Sequence, residues 1–299
     1  MSVDLSAAAA FLATHGRILD QHRLQLSLGN GDPEATLGAL TAYRNRDGGY
    51  GHGLEPDLRC AESQPGAALH AFEVFADLAP VTHPHAAALC DWLASVTLPD
   101  GGLPFALPIA DPAGCAPFWV QAEPGVSSLQ ITAICVANAL RVAAHDPAVA
   151  GHPWLDRAAE YCLSAIGALD GQPHALVLAF ATRFLDAAHT RYPEAAALLD
   201  SVRRFVPADG IVHVAGGAED EVMRPLDFAP LPGGPARTLF SREVIEAELR
   251  RLAGEQQDDG GWQVGFVSYS PAAALEWRGY ATVGAIQLLA ETQNRRPTR

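Results

Sequence analysis

The chain has 299 residues, with 34 acidic and 20 basic side chains and a formal net charge of −14. Every basic residue is an arginine, which excludes a Schiff-base lysine and a phosphate-loop lysine, and arginine cannot stand in as a nucleophile because its guanidinium stays protonated. The acidic balance argues against a duplex nucleic acid partner, while 49% hydrophobic residues suffice for a large core.

At the N-terminus, Ala7 to Ala10 lack a basic leader and an apolar segment long enough for a signal peptide. No uncharged apolar stretch reaches the ~20 residues of a membrane span, so none is expected. Asp32-Pro33 reads as an N-cap and first-turn proline opening an amphipathic helix over 35–43. Asp47-Gly48-Gly49-Tyr50 follows, and then an apolar helix over 65–78. The same order recurs: a helix over 86–96, Asp100-Gly101-Gly102-Leu103, and an apolar helix over 128–144. Further along come helices over 174–188, 194–205 and 242–253, then Asp259-Gly260-Gly261-Trp262 and a last apolar helix over 272–290. Disorder is expected only at the ends, as in Arg295-Arg296-Pro297. Five scattered cysteines (Cys60, Cys90, Cys115, Cys135, Cys162) form no CxxC pair and suit free thiols in a reducing cytoplasm.

The Asp-Gly-Gly turns carry a repeat. They lie 53 and then 159 residues apart, and 159 is three times 53, so two weaker copies are expected between. Asp209-Gly210 is close to one expected place, and Asp170-Gly171 is well displaced from the other. Glycine ends each outer helix because it enters the left-handed region easily. The unit is an amphipathic outer helix, a glycine turn and an apolar inner helix that is buried on most sides. Five or six such hairpins make an all-α protein, closed as an α/α toroid of one domain over 1–299. An open solenoid of the same hairpins is the alternative.

Gln256-Gln257-Asp258-Asp259-Gly260-Gly261-Trp262 resembles the QW motif of squalene cyclases, and the glycine turns are similar to those of protein prenyltransferase β-subunits. The resemblance covers most of the chain as a repeat pattern. Arg44 and Thr97 replace the glutamine in the first two copies. It implies a terpenoid-cyclase-like toroid in which these motifs tie outer helices together. The family's Asp-x-Asp-Asp acid, its zinc ligands and the magnesium-binding Asp-Asp-x-x-Asp are all missing, so no cofactor is implied.

Three constellations are candidates for chemistry. In the first, Glu55 and Asp57 flank Pro56, and an extended segment aims both the same way. Close carboxylates share a proton and supply an acid, with Arg59 to fix the charge and His52 and Gln64 nearby. Caps and ion pairs joining two hairpins are the plainer reading. The second is Glu276-Trp277-Arg278-Gly279-Tyr280, where Glu276 and Tyr280 share a helix face and can meet the first group across the seam of the ring. Trp277 and Tyr280 suit a wall that steadies a carbocation. The third is the proline-rich segment 104–125 with Trp119, read as a cavity cover; the segment 214–237 is similar, with a solvated acidic cluster. His70 and His174 read as core residues. Cys60 follows Arg59, which lowers a thiol pKa, though a buried structural thiol is the plainer reading.

The expectation is an enzyme acting on an apolar, isoprenoid-derived small molecule. Glu55 or Asp57 moves the proton, Arg59 and Glu276 set its charge, and Trp119, Trp277, Tyr280, His52, Gln64 and Arg278 surround the substrate. A carbohydrate-active toroid with two carboxylates and a noncatalytic binding or scaffold module are the rivals.

Overall fold

The computed structural model describes residues 3–293, and the tail at Arg295-Arg296-Pro297 lies outside them. Among these residues the fold is all-α, with fourteen α-helices and one pair of two-residue strands. Helix α1 (Leu5–His15) begins where Asp4 accepts from the Ala7 amide, and α2 (Ile18–Ser27) follows at once. Helices α3 (Pro33–Thr41), α4 (Pro65–Asp77) and α5 (Pro84–Val96) each open with proline, whose φ is already helical. A single turn, α6 (Pro117–Val120), interrupts the long segment before α7 (Leu129–Ala143). Then come α8 (Pro147–Ala150), α9 (Pro153–Gly167), α10 (Ala175–Ala188) and α11 (Glu194–Val202). Strand β1 (Val212–His213) pairs antiparallel with β2 (Val222–Met223), Val212 opposite Met223. The chain closes with α12 (Pro225–Phe228), α13 (Arg242–Gly254) and α14 (Pro271–Gln293).

The expected inner helices are α4, α7, α10 and α14, and α4 buries every residue from Pro65 to Phe75. Helix α2 is a fifth with buried faces, and it buries charges, Asp20 and Arg23. Packing passes from α2 to α4, α4 to α7, α7 to α10, α10 to α12, α12 to α13, α13 to α14, and α14 back to α2.

Five glycines in the left-handed region mark the turns: Gly48 (φ 96°), Gly101 (95°), Gly171 (59°), Gly210 (71°) and Gly260 (91°). Asp47, Asp100 and Asp259 each accept, at 3.0 to 3.1 Å, from the amide of the second glycine of their turn. An aspartate that bonds backbone two residues on builds the turn itself. Two expectations need correction. The glycines do not cap the outer helices, because α3, α5 and α13 end at Thr41, Val96 and Gly254, several residues earlier. Nor is the period a uniform 53: after Asp100 the turns at Asp170, Asp209 and Asp259 come at intervals of 70, 39 and 50. The long second unit contains the 104–125 segment.

Gln256 and Trp262 join the last glycine turn to α1. The Gln256 amide donates to the Asp4 carbonyl and accepts from the Asp4 amide, both at 2.8 Å. Trp262 is buried with Ala8, Phe11 and Leu12 of α1 and Val283 and Ile286 of α14, and its indole donates to the Leu252 carbonyl of α13.

Candidate functional site

Between these helices is a cavity of about 690 Å³. Its wall takes Arg23 from α2, Glu73 and Asp77 from α4, Arg141 from α7, Arg183 from α10, Arg251 from α13 and Trp277 and Tyr280 from α14. The segment 220–231 adds Asp220, Glu221, Arg224 and Asp227, and the loop after the last turn adds Phe266. Trp262, Phe266, Trp277 and Tyr280 give an aromatic side, and the rest of the wall mixes five arginines and six acidic residues with aliphatic ones such as Val222, Met223, Leu231 and Leu288. The wall is therefore more charged than the apolar cavity that an isoprenoid-derived ligand implied.

Behind the cavity lies a buried chain of charges. His70 Nε2 is 2.7 Å from Glu55 Oε2, and His70 Nδ1 is 3.1 Å from Glu73 Oε2. The Tyr280 hydroxyl donates to Glu73 Oε1 at 2.9 Å. Arg23 Nε binds Asp77 Oδ2 at 2.8 Å, and its NH1 is 3.8 Å from Glu73. The His70 ring meets the Trp277 and Tyr280 rings edge to face, at 5.9 and 5.3 Å.

With a carboxylate on each nitrogen, His70 is an imidazolium. Burial alone would lower its pKa, but Glu73 and Glu55 overcome this and raise it to about 9. Burial would raise Glu73, but the His70 charge and then Arg23 hold it down at about 2. Burial, and next the Glu73 charge, push the Tyr280 phenol far above its ordinary value, so it stays a donor. Asp227 behaves in the opposite way to Glu73. Its side chain is open to the cavity yet closely surrounded by protein, and that desolvation raises its pKa although the Arg224 amide donates to it at 2.7 Å. Two carboxyls thus line one cavity, Glu73 held below the usual carboxylate range and Asp227 shifted above it.

The sequence candidates divide. Trp277 and Tyr280 line the cavity. The others do not, and the structure assigns them different partners. Glu55 and Asp57 are buried, and they do not form a proton-sharing pair: Glu55 takes His70 and the Asp57 amide, while Asp57 accepts from the Tyr269 amide at 2.9 Å and the Trp277 indole at 2.8 Å. Arg59 meets Glu276 at 2.6 Å across the seam between the first and last hairpins. Arg278 turns outward, donating to both carboxylate oxygens of Asp259 and lying 4.4 Å over the Phe11 ring. His52, at φ 55°, bonds Asn45 at the surface. Gln64 holds both the amide and the carbonyl of Leu107. Trp119 stacks on Phe105 at 4.6 Å.

The segment 104–125 supplies no residue to the cavity wall, whereas 220–231 does. The first is fastened to the Glu55 loop instead, through Ala116 to the Asp57 carbonyl and a bridge between Leu58 and Cys115. Cys60 is no activated thiol: burial first, then Cys115 and Glu62, push it up to about 12. All five cysteines are free thiols.

Sequence reading missed His70, Glu73 and Asp77, Arg23, Arg183 and Asp227. A signal existed for the first three. At spacings of three and four on an apolar helix they form one charged stripe, which no solvated surface explains. Nothing comparable marks Asp227. Among the described residues no group of three or more His, Cys, Asp or Glu could hold a metal ion, and no helix is long and apolar enough to cross a membrane.

No protein-family model matches this chain, and no curated protein matches it in sequence.

Proposed function

We propose that the cavity is the chamber of an α/α-toroid enzyme of the cytoplasm that works on a hydroxylated, carbohydrate-type small molecule, with Glu73 as base and Asp227 as acid. One observation carries this reading: two carboxyls line the same cavity in different settings, Glu73 bonded to His70 and Tyr280 and Asp227 bonded to the Arg224 amide, and these settings shift them in opposite directions. That separation is how one site keeps a proton donor and a proton acceptor together. His70 and Arg23 hold Glu73 ionised, and Tyr280 orients it through the hydrogen bond to Oε1. The Trp277 and Phe266 rings give a sugar ring an apolar face, while the polar wall meets its hydroxyls. Free thiols at all five cysteines fit the reducing compartment.

The test is turnover of a panel of aryl glycosides and short oligosaccharides. Asp227→Asn and Glu73→Gln are each expected to lower kcat by about 10²-fold or more. Undiminished turnover in either variant would refute the assignment. Binding without turnover by the parent protein would favour a noncatalytic module.

A second reading keeps the isoprenoid-derived ligand of the terpenoid-cyclase resemblance. It is supported by Trp262, Phe266, Trp277 and Tyr280 on one cavity, since aromatic faces steady a carbocation. Five arginines and six acidic residues on the same wall weigh against it, because an apolar guest would strip them of water without replacing the hydrogen bonds.

A further inference from the structure

We propose that Arg183, with Arg141 beside it, grips an oxyanion of the ligand, so that the cavity takes an anionic hydroxylated molecule rather than a neutral one. This deepens the reading above and rests on it only for the place where the reacting group sits.

Of the five arginines on the cavity wall, Arg23, Arg141, Arg183, Arg224 and Arg251, two are already held in close ion pairs. Arg23 is bound to Asp77 and lies near Glu73. Arg251 is bound to Glu248 and Glu255. Arg183 forms no ion pair and no hydrogen bond among the described residues; its guanidinium lies 6.0 Å from the centre of the Phe180 ring. Arg141 reaches only Asp77, at 4.0 Å, and Asp77 is already held by Arg23 at 2.8 Å.

The carboxylates that could answer Arg183 are bonded elsewhere. Glu73 takes His70 and Tyr280, Asp227 takes the Arg224 amide, and Asp186, which shares the small hollow with both arginines, takes the Ala236 amide at 2.8 Å through Oδ1 while its Oδ2 bonds no described residue. All three feel the Arg183 charge through space, and none reaches it.

Arg141 and Arg183 come from α7 and α10, which pack on each other, and they meet across a small hollow of about 20 Å³ that both line in addition to the cavity. Both are partly buried. A guanidinium presents five donors and no acceptor, and drawing it out of water is costly unless acceptors replace that water. Two such forks on neighbouring helices, facing a polar cavity, match the paired oxygens of a carboxylate or phosphate.

The test is calorimetric titration at constant ionic strength with glucuronate, glucose 6-phosphate and glucose. At least one of the two anions is expected to bind about tenfold or more tightly than glucose. The preference between the two identifies the oxyanion. Arg183→Gln and Arg141→Gln are each expected to bring that anion to the level of glucose, with circular dichroism confirming the fold. Arg183→Lys, which keeps the charge and loses the fork, is expected to fall between. Arg242→Gln on the outer surface should change nothing. Equal binding of glucose and both anions, no binding of either anion at millimolar concentration, or full anion affinity in a folded Arg183→Gln protein would overturn the inference. Dead Asp227→Asn chemistry with intact anion binding leaves the grip standing, and undiminished Asp227→Asn turnover with loss of anion binding in Arg183→Gln refutes the acid alone.

Discussion

His70 is the position where a single substitution tests the buried charge network most directly. Its imidazolium stands between Glu55 and Glu73 and is only 6% exposed. A rise of its pKa from 6.5 to about 9 is worth about 3 kcal/mol of folding stability. The folded-state pKa lies above the unfolded one, so this stability is fully present below pH 6.5 and is lost as pH rises through 9. Glu73 has the opposite sign: lowered from 4.5 to about 2, it contributes above pH 4.5 and its share is lost as pH falls through 2. The two shifts describe one contact and are counted once. His70→Gln keeps a hydrogen-bonding side chain and removes the charge. Urea unfolding of both proteins, from pH 5 to pH 10, is the assay. The variant should be about 3 kcal/mol less stable at pH 6, and the gap should close between pH 6.5 and 9 as the parent protein loses its proton. A gap that stays constant across that window would show that His70 is buried neutral and would refute the network as described.

Three other outcomes follow from the geometry. Trp277→Phe removes the indole donor to the buried carboxylate of Asp57 and should cost about 1–3 kcal/mol in thermal unfolding; an unchanged Tm would show the bond to be idle. Gly260→Ala places a methyl group into the Ala7 carbonyl at φ 91°, whereas Gly29→Ala, at φ 75°, meets nothing within 4 Å, so the first should be clearly the more destabilised in denaturant titration. Glu276→Gln breaks a partly exposed pair with Arg59, and its cost should stay within about 1 kcal/mol and shrink further in high salt.

The turns were the most legible part of the molecule, because Asp-Gly-Gly is chemistry that only one backbone shape satisfies. Even the two imperfect copies, Asp170-Gly171 and Asp209-Gly210, place their glycine at positive φ. Helix α9 escaped notice because its turn lacks the second glycine and lies far from the place that a uniform period assigns. Helix α2 escaped because no such turn precedes it and its buried face carries Asp20 and Arg23 rather than an apolar stripe. At the site, the sequence drew attention to Glu55, Asp57 and Arg59 in a loop and to Glu276 on the last helix, and the Arg59–Glu276 contact is made, yet none of the four lines the cavity, whose charges come from α2, α4, α7, α10, α12 and α13 and from the segment before α12. A single histidine on an apolar helix reads as core; His70 differs only because a loop 15 residues earlier delivers Glu55 to its far nitrogen. Asp227 depends on a chain reversal between β1 and β2 that two-residue strands barely signal.

Stability alone does not account for this interior. A buried ion pair seldom outperforms well-packed apolar side chains of similar volume, because desolvation offsets much of the attraction. The apolar faces of α4, α7 and α10 already hold neighbouring helices together through Leu69, Ile134, Leu178 and similar residues. Replacing His70, Glu73, Asp77 and Arg23 with leucine-like residues would suit that role at least as well. These groups also do not close on themselves as a purely structural cluster would. Arg23, Glu73, Asp77 and Tyr280 face both the network and the cavity. A network that fixes the charge of a carboxylate at the cavity wall, Glu73, through His70, Tyr280 and Arg23 is costly for a scaffold and useful to a site that must hold a charged group beside its ligand. The same reasoning separates these groups from Arg278 and Asp259, which pair at the outer turn and face no cavity from the Asp259 side.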